Sequence, residues 1–599
     1  MLDRDMFLPT TPQEIRARGW DGIDVLIVSG DAYVDHPAFG VAALGRVLES
    51  EGFRVAVLPQ PRFDSSVDFA SFPAPRLFVG IAPGTVDSML NNYTATKKPR
   101  SDDMYSEGGR GGKRPDYAAI VYARLAREAF PEVPIIAGGV EVSLRRLAHY
   151  DYWQNRVRPS ILMDIAADFV AFGMGERTVV SLATTFAREV SESGGAMLLG
   201  TPAWERASEQ IRSMRGIAYV TTKDVARTLE NRLTIPSFDE VKGDKRKFAR
   251  ATLLVEQEAS PLNGKKVLQY HGGRAVVCNE MPLPLSTAEF DAIYKLPFTK
   301  HPHPRYREKI PAEEMIRFSC NAVRGCYGGC SFCAITLHQG RIVQSRSLAS
   351  VLNEISGMAT LPGFTGHVSD VGGPSANMYA TRCKSDFIQS KCRKLSCLFP
   401  KPCPHLVSDH GPQIELLKRC RALPGVKSIR IASGIRYDLA FADSKNGEHY
   451  LRDVVKHHVG GQLKVAPEHL DPAVLDLMRK PGRELFERFL DLFYGASASC
   501  GKEQYVVPYF ISGFPGCTHD QMRVVQQFLQ KRQWNLQQVQ SFIPTPMTMA
   551  TAMYYAGMDP VSRQEIFVAK AFEDKKIQQA ILQPKRHAPR HSSRPMRRR

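Results

Sequence analysis

The first 277 residues contain no cysteine, and nine of the chain's twelve cysteines fall between Cys320 and Cys420. In a cytosolic chain such crowding points to metal or redox chemistry and away from a disulfide framework. A second absence is a long apolar run. No stretch of about 18 apolar residues is present to span a bilayer, and the opening MLDRDMFLPTTPQEIRARGW lacks the apolar segment of a signal peptide. A cytoplasmic protein without membrane contact is therefore expected. Only four of the 599 residues are tryptophan, and the hydrophobic share of 43% with 23% charged residues is ordinary for a globular protein and excludes wholesale disorder. The length is too great for one core, so two or three domains are expected.

Net charge is +18, but seven positive charges sit at the end, on Lys585, Arg586, Arg590, Arg594, Arg597, Arg598 and Arg599, with no acid between them. Such a run reads as a basic, disordered tail. Phosphate contacts to nucleic acid are open to it but nothing in the sequence requires them.

From residue 20 to about 190, apolar runs such as IDVLIVSG, RVAVLPQ, RLFVGIAPG and VPIIAGGVE alternate with helical patterns such as AFGVAALGRVLESEG. The pattern predicts an α/β domain over 1–195, a doubly wound, Rossmann-like parallel sheet with helices on both faces. A polar insertion at 92–116 interrupts it. Lys97, Lys98, Arg100, Arg110, Lys113 and Arg114 make that insertion cationic and suit it to an anionic group. Periodicity weakens over 196–310, which reads as a connector. Over 311–560 the alternation returns with six strand-helix units, predicting a partial (β/α)6 barrel, followed by a helix and the tail over 561–599. In parallel barrels chemistry sits at the carboxyl ends of the strands.

The first strand of that barrel runs into NAVRGCYGGCSFCAITLHQGR, which sets Cys326, Cys330 and Cys333 in the spacing C-x3-C-x2-C. Three thiolates hold three irons of a [4Fe-4S] cube and leave the fourth open to a chelating ligand, whereas four would close it. Gly325, Gly328 and Gly329 let a short loop wrap closely around such a cluster. The competing reading is zinc on these three with Cys320 or His338.

The loop resembles that of the radical S-adenosylmethionine superfamily, in which Phe332 matches the aromatic residue that commonly precedes the third cysteine. NYTATKKPRSDD, IPAEEMIRFSC, DVGGPSANMYATRCKS, CRKLSC, SGIRYDL, LKVAPEH and YFISGFPG extend the likeness over nearly the whole chain to the YgiQ family. The resemblance implies a cluster-bound S-adenosylmethionine that is cleaved reductively to a 5′-deoxyadenosyl radical, which takes hydrogen from a substrate. It also implies an electron donor such as flavodoxin or ferredoxin. Gly372 and Gly373 stand where the superfamily has a GGE motif for the methionyl amine, with Pro374 in place of the acid. Ser433 and Glu468, after later strands, are candidates for ribose hydroxyls, and Arg436 for the carboxylate.

Cys383, Cys392, Cys397 and Cys403 form a second group, spaced C-x8-C-x4-C-x5-C, which suits zinc or a second iron-sulfur cluster without matching a standard zinc signature. The amino-terminal sheet is similar to a cobalamin-binding domain. The D-x-H-x-x-G motif for the lower ligand is missing, since Asp35, His36 and Gly40 are spaced differently, so no tight cobalamin binding is expected. A cobalamin-dependent methyltransferase and a non-enzymatic iron-sulfur or zinc protein stay open as alternatives.

Overall fold

The computed structural model describes residues 4–193, 195–536 and 539–583. The expected basic tail from Lys585 lies outside them. The amino-terminal half is built on a nine-stranded sheet. Five parallel strands come in the order Val55–Pro59, Val25–Ser29, Phe78–Ala82, Ile135–Ala137, Phe169–Ala171. Val25 lies level with Val55 on one side and Phe78 on the other. Successive side chains leave opposite faces of a strand, and each face meets its own core. Val25 and Ile27 pack with Phe7, Phe78 and Phe186, whereas Leu26 and Val28 pack with Tyr122 and Phe130. This is the α/β, parallel-rich sheet expected from uninterrupted apolar runs.

The stretch 196–310 does more than connect. Ile217–Thr222 joins the sheet antiparallel to Phe169–Ala171, and Arg274–Cys278, Lys266–His271 and Arg232–Thr234 follow it. These strands mix polar with apolar side chains, as in KVLQYH and IAYVTT, so they lack the signal that marked the buried parallel ones.

The carboxyl-terminal half holds short parallel strands in two runs. Ser319–Asn321 pairs with Asp370–Gly372, and His367–Val368 with Ser428–Ile429. Gln462–Glu468 pairs with Tyr505–Ser512, which pairs in turn with Gln540–Ser541. The core containing Leu26 and Val28 continues without a break to Val368, Leu463 and Phe510, so the two halves share apolar packing. The helix Phe572–Leu582 closes the described chain, with Gln578 accepting from Gly513 N–H at 2.7 Å and donating to the Cys517 carbonyl at 2.7 Å. Among the described residues no helix is long and apolar enough to cross a membrane.

Candidate functional site

The strand pair Val323–Arg324 and Gln344–Ser345 opens the cysteine loop. At Gly325 φ is +79° and an added Cβ would lie 2.4 Å from the Ile342 carbonyl oxygen, so the backbone can pass only as glycine. Cys326, Cys330 and Cys333 are all half-buried free thiols. Gly328 N–H approaches Cys326 Sγ at 3.4 Å, and Arg436 Nη1 approaches Cys330 Sγ at 3.5 Å. A Cβ on Gly328 would meet that guanidinium at 2.4 Å. Burial and the neighbouring Cys330 and Cys326 push the Cys333 thiol up to about 12. Burial raises Cys326 as well, with Arg436 opposing.

Arg436 is held twice. Asp438 forks onto it at 3.1 and 2.6 Å, and Asn377 receives its backbone N–H at 2.8 Å and donates to its carbonyl at 2.8 Å. The guanidinium is therefore occupied by Asp438 and Cys330. Asp438 and Asn377 escaped sequence reasoning, although an acid two residues after Arg436 was visible in RYDL.

The other predicted residues gather nearby. A Cβ on Gly372 would lie 2.0 Å from Ser433 Oγ, and one on Gly373 would lie 2.2 Å from the Val323 carbonyl. Ser433 is exposed, and its hydroxyl donates to Asp370 Oδ1 at 3.2 Å. Glu468 carries a left-handed backbone, φ +66°, at an irregularity in its strand. Burial raises its carboxyl against the pull of Lys480 and Arg436, and its field reaches Cys333. A non-glycine residue held in that region marks local strain, which concentrates at functional sites. Phe332 meets Phe514 edge-on at 6.2 Å.

The residues proposed for a fourth zinc ligand turn elsewhere. Cys320 donates to Glu354 at 3.0 Å, and His338 Nδ1 lies 3.1 Å from Ser143 Oγ. That last contact ties the cysteine loop to the helix Gly139–Ser143, which follows the strand Ile135–Ala137 of the nine-stranded sheet.

The second cysteine group packs on the first. Cys397 N–H donates to the Tyr327 carbonyl at 3.0 Å, Ser396 Oγ donates to the Gly328 carbonyl at 2.7 Å, and Cys326 and Cys397 border the same small apolar cluster. The four thiols are neighbours. Burial and then Cys403, Cys392 and Cys383 push the Cys397 thiol up to about 12. The stretch 196–310 braces both loops. Asn263 donates to the Cys392 carbonyl at 3.1 Å, Arg393 pairs with Glu258 at 3.0 Å, and Glu256 forks onto Arg479, itself 3.3 Å from the Gly329 carbonyl.

A parallel sheet ordered like the amino-terminal one takes ligands at the crevice where strand order reverses, between Val25–Ser29 and Phe78–Ala82. Here Arg114 fills that crevice. Its side chain is 0% exposed and lies 2.6 Å from Asp31 and 3.5 Å from Asp103. Next to it Arg145 pairs with buried Asp87, and Glu141 accepts from Ser88 and Ala119 N–H at 2.8 and 3.0 Å. Most of the expected cationic face of the insertion is likewise engaged. Arg110 pairs with Glu308, Lys113 with Glu107 at 3.7 Å, and Lys97 lies over the Tyr152 ring at 4.8 Å.

A family model described as Radical SAM N-terminal matches residues 7–319, and a domain of unknown function, DUF3362, matches 537–589. A UPF0313 protein of Methanocella arvoryzae is 47% identical, covering 96% of this chain and 92% of that one. UPF0313 protein YgiQ of Escherichia coli K12 is 42% identical, over 96% and 83%. Among solved structures, the radical S-adenosylmethionine methyltransferase TsrM from Kitasatospora setae, with cobalamin and a [4Fe-4S] cluster bound, aligns over 94% of this chain and 91% of that one, at 14% identity and a TM-score of 0.48. With such identity to its relatives over nearly its whole length, the chain belongs to the UPF0313 family, which includes YgiQ.

Proposed function

We propose that the chain is a radical S-adenosylmethionine enzyme that works in the cytoplasm, with the parallel strands of its carboxyl-terminal half forming a partial barrel around the site. The observation that carries this is the cysteine loop, in which three half-buried thiols sit on a glycine-shaped turn with N–H donors aimed at two of the sulfurs. Hydrogen bonds to cluster sulfurs tune iron-sulfur centres, and glycine at Gly328 leaves the room that a Cβ would fill. The residues fit a [4Fe-4S] cluster on Cys326, Cys330 and Cys333. When bound, the cluster and S-adenosylmethionine together supply a 5′-deoxyadenosyl radical for hydrogen abstraction.

The protein's own part is to hold and shield. Arg436, fixed by Asp438, steadies Cys330. The backbone at Gly372 and Gly373 offers carbonyls to the methionyl amine, a role in which Pro374 contributes no carboxylate. Exposed Ser433 and strained Glu468 take the ribose side, and Phe332, edge-on to Phe514, shields the loop beside them. A one-electron donor of the flavodoxin or ferredoxin kind reduces the cluster. The filled crevice of the amino-terminal sheet favours this reading over a cobalamin-dependent methyl transfer.

The full chain, reconstituted anaerobically with iron and sulfide and reduced in the presence of S-adenosylmethionine, is expected to release 5′-deoxyadenosine, measured by mass spectrometry. A protein that holds iron yet releases none would be an iron-sulfur protein without this chemistry.

A further inference from the structure

Four cysteines outside the described site are gathered on one loop, and the proposed reaction does not use them. Cys383 lies in the strand pair Arg382–Cys383 and Leu406–Val407, and Cys403 N–H donates to the Cys397 carbonyl at 2.8 Å. Asn263 reaches the carbonyls of Ser390 at 2.9 Å and Cys392 at 3.1 Å, fixing the remaining arm. All four are free and half-buried.

Their surroundings are strongly cationic. Between 382 and 403 the chain carries Arg382, Lys384, Lys391, Arg393, Lys394 and Lys401 against the single acid Asp386, and Lys394 Nζ lies 3.6 Å from Cys403 Sγ. Arg393 is held by Glu258 at 3.0 Å and Lys391 lies over the Phe387 ring at 4.2 Å, which leaves Lys394 as the cation set directly against a thiol, where it favours the thiolate that a metal takes.

Among the described residues no three His, Cys, Asp or Glu side chains converge closely enough to hold a single metal ion. This is as true of the first cysteine loop as of the second. The spacing C-x8-C-x4-C-x5-C matches no standard zinc signature, and a cube takes one thiolate on each iron where a tetrahedral ion needs four closed on one atom.

We infer that Cys383, Cys392, Cys397 and Cys403 hold a second four-iron, four-sulfur cluster, with every iron closed by a thiolate, seated directly against the loop of the first. Four-cysteine ligation leaves no open iron, so this cluster binds no S-adenosylmethionine.

The test is metal and sulfide analysis of the anaerobically reconstituted full chain. About eight irons and eight sulfides per chain are expected, and about four would overturn the inference. The Cys326→Ala, Cys330→Ala, Cys333→Ala triple variant should keep about four irons and, once reduced with dithionite, give an electron paramagnetic resonance signal that S-adenosylmethionine does not change. Zinc in their place, or a metal-free variant, would also overturn it. The inference stands apart from the enzymatic reading. Eight irons without 5′-deoxyadenosine would sink that reading alone, and four irons with 5′-deoxyadenosine would sink this one alone.

Discussion

Two strand edges of one molecule have been treated in opposite ways. At the carboxyl edge of the amino-terminal sheet the protein fills the ligand crevice with its own charges, Arg114 against Asp31 and Asp103. At the carboxyl-terminal strands it leaves half-buried thiols, an exposed serine and glycines where side chains would crowd. The architectural rule that ligands gather at such edges thus says where to look, and the side chains decide whether there is room.

Removing a thiol from the open edge should have the largest effect. Cys330→Ala takes away one of three ligands, and 5′-deoxyadenosine formation should fall to background. Turnover near the level of the parent would break the comparison at once.

The closed edge is tested by Asp31→Asn. It leaves the buried Arg114 guanidinium with a weakened partner set, and removing one member of a buried pair costs about 3–5 kcal/mol. Denaturant unfolding should show that loss. A cost below about 1 kcal/mol would mean the crevice is not sealed by this pair.

Arg436→Met probes support behind the open edge. It removes the donor to Cys330 while leaving all three ligands, and loss of such a supporting contact commonly costs about 10- to 100-fold in affinity or activity. The rate of 5′-deoxyadenosine release and iron content, measured together, separate the two.

A smaller effect concerns acid. Burial, with Arg145 beside it, lowers His149 from 6.5 to about 3. Above pH 6.5 both folded and unfolded forms are neutral and the residue contributes no pH dependence. Below it the unfolded chain binds a proton that the folded chain refuses until about pH 3. Stability should therefore fall with falling pH through this window by up to about 1.4 kcal/mol per unit, and His149→Gln should flatten the slope measured by unfolding at several pH values.

The smallest expected effect is none. Hydroxocobalamin mixed with the full chain should elute separately on gel filtration with its visible spectrum unchanged. Co-elution would reopen the crevice.

Much of this was legible in advance, for definite reasons. Strands buried on both faces, such as VLIVS and VAVLP, are continuous apolar runs, and a three-cysteine loop is a rare local pattern. The strands over 217–278 carry mixed side chains and escaped. So did Arg114, because a buried arginine in a Gly- and Lys-rich segment looks no different from a surface one. Glu256 and Arg479 stand 223 positions apart, a separation that no local pattern spans.

The antiparallel seam between Phe169–Ala171 and Ile217–Thr222 has a practical consequence for anyone dividing the molecule. A fragment ending near residue 200 would leave Phe169–Ala171 as a bare margin of unpaired amides, the kind of border along which strands of separate molecules zip together. A fragment beginning near 311 would lose Asn263, Glu256 and Glu258, which clamp both cysteine loops from outside. The chain is best handled whole.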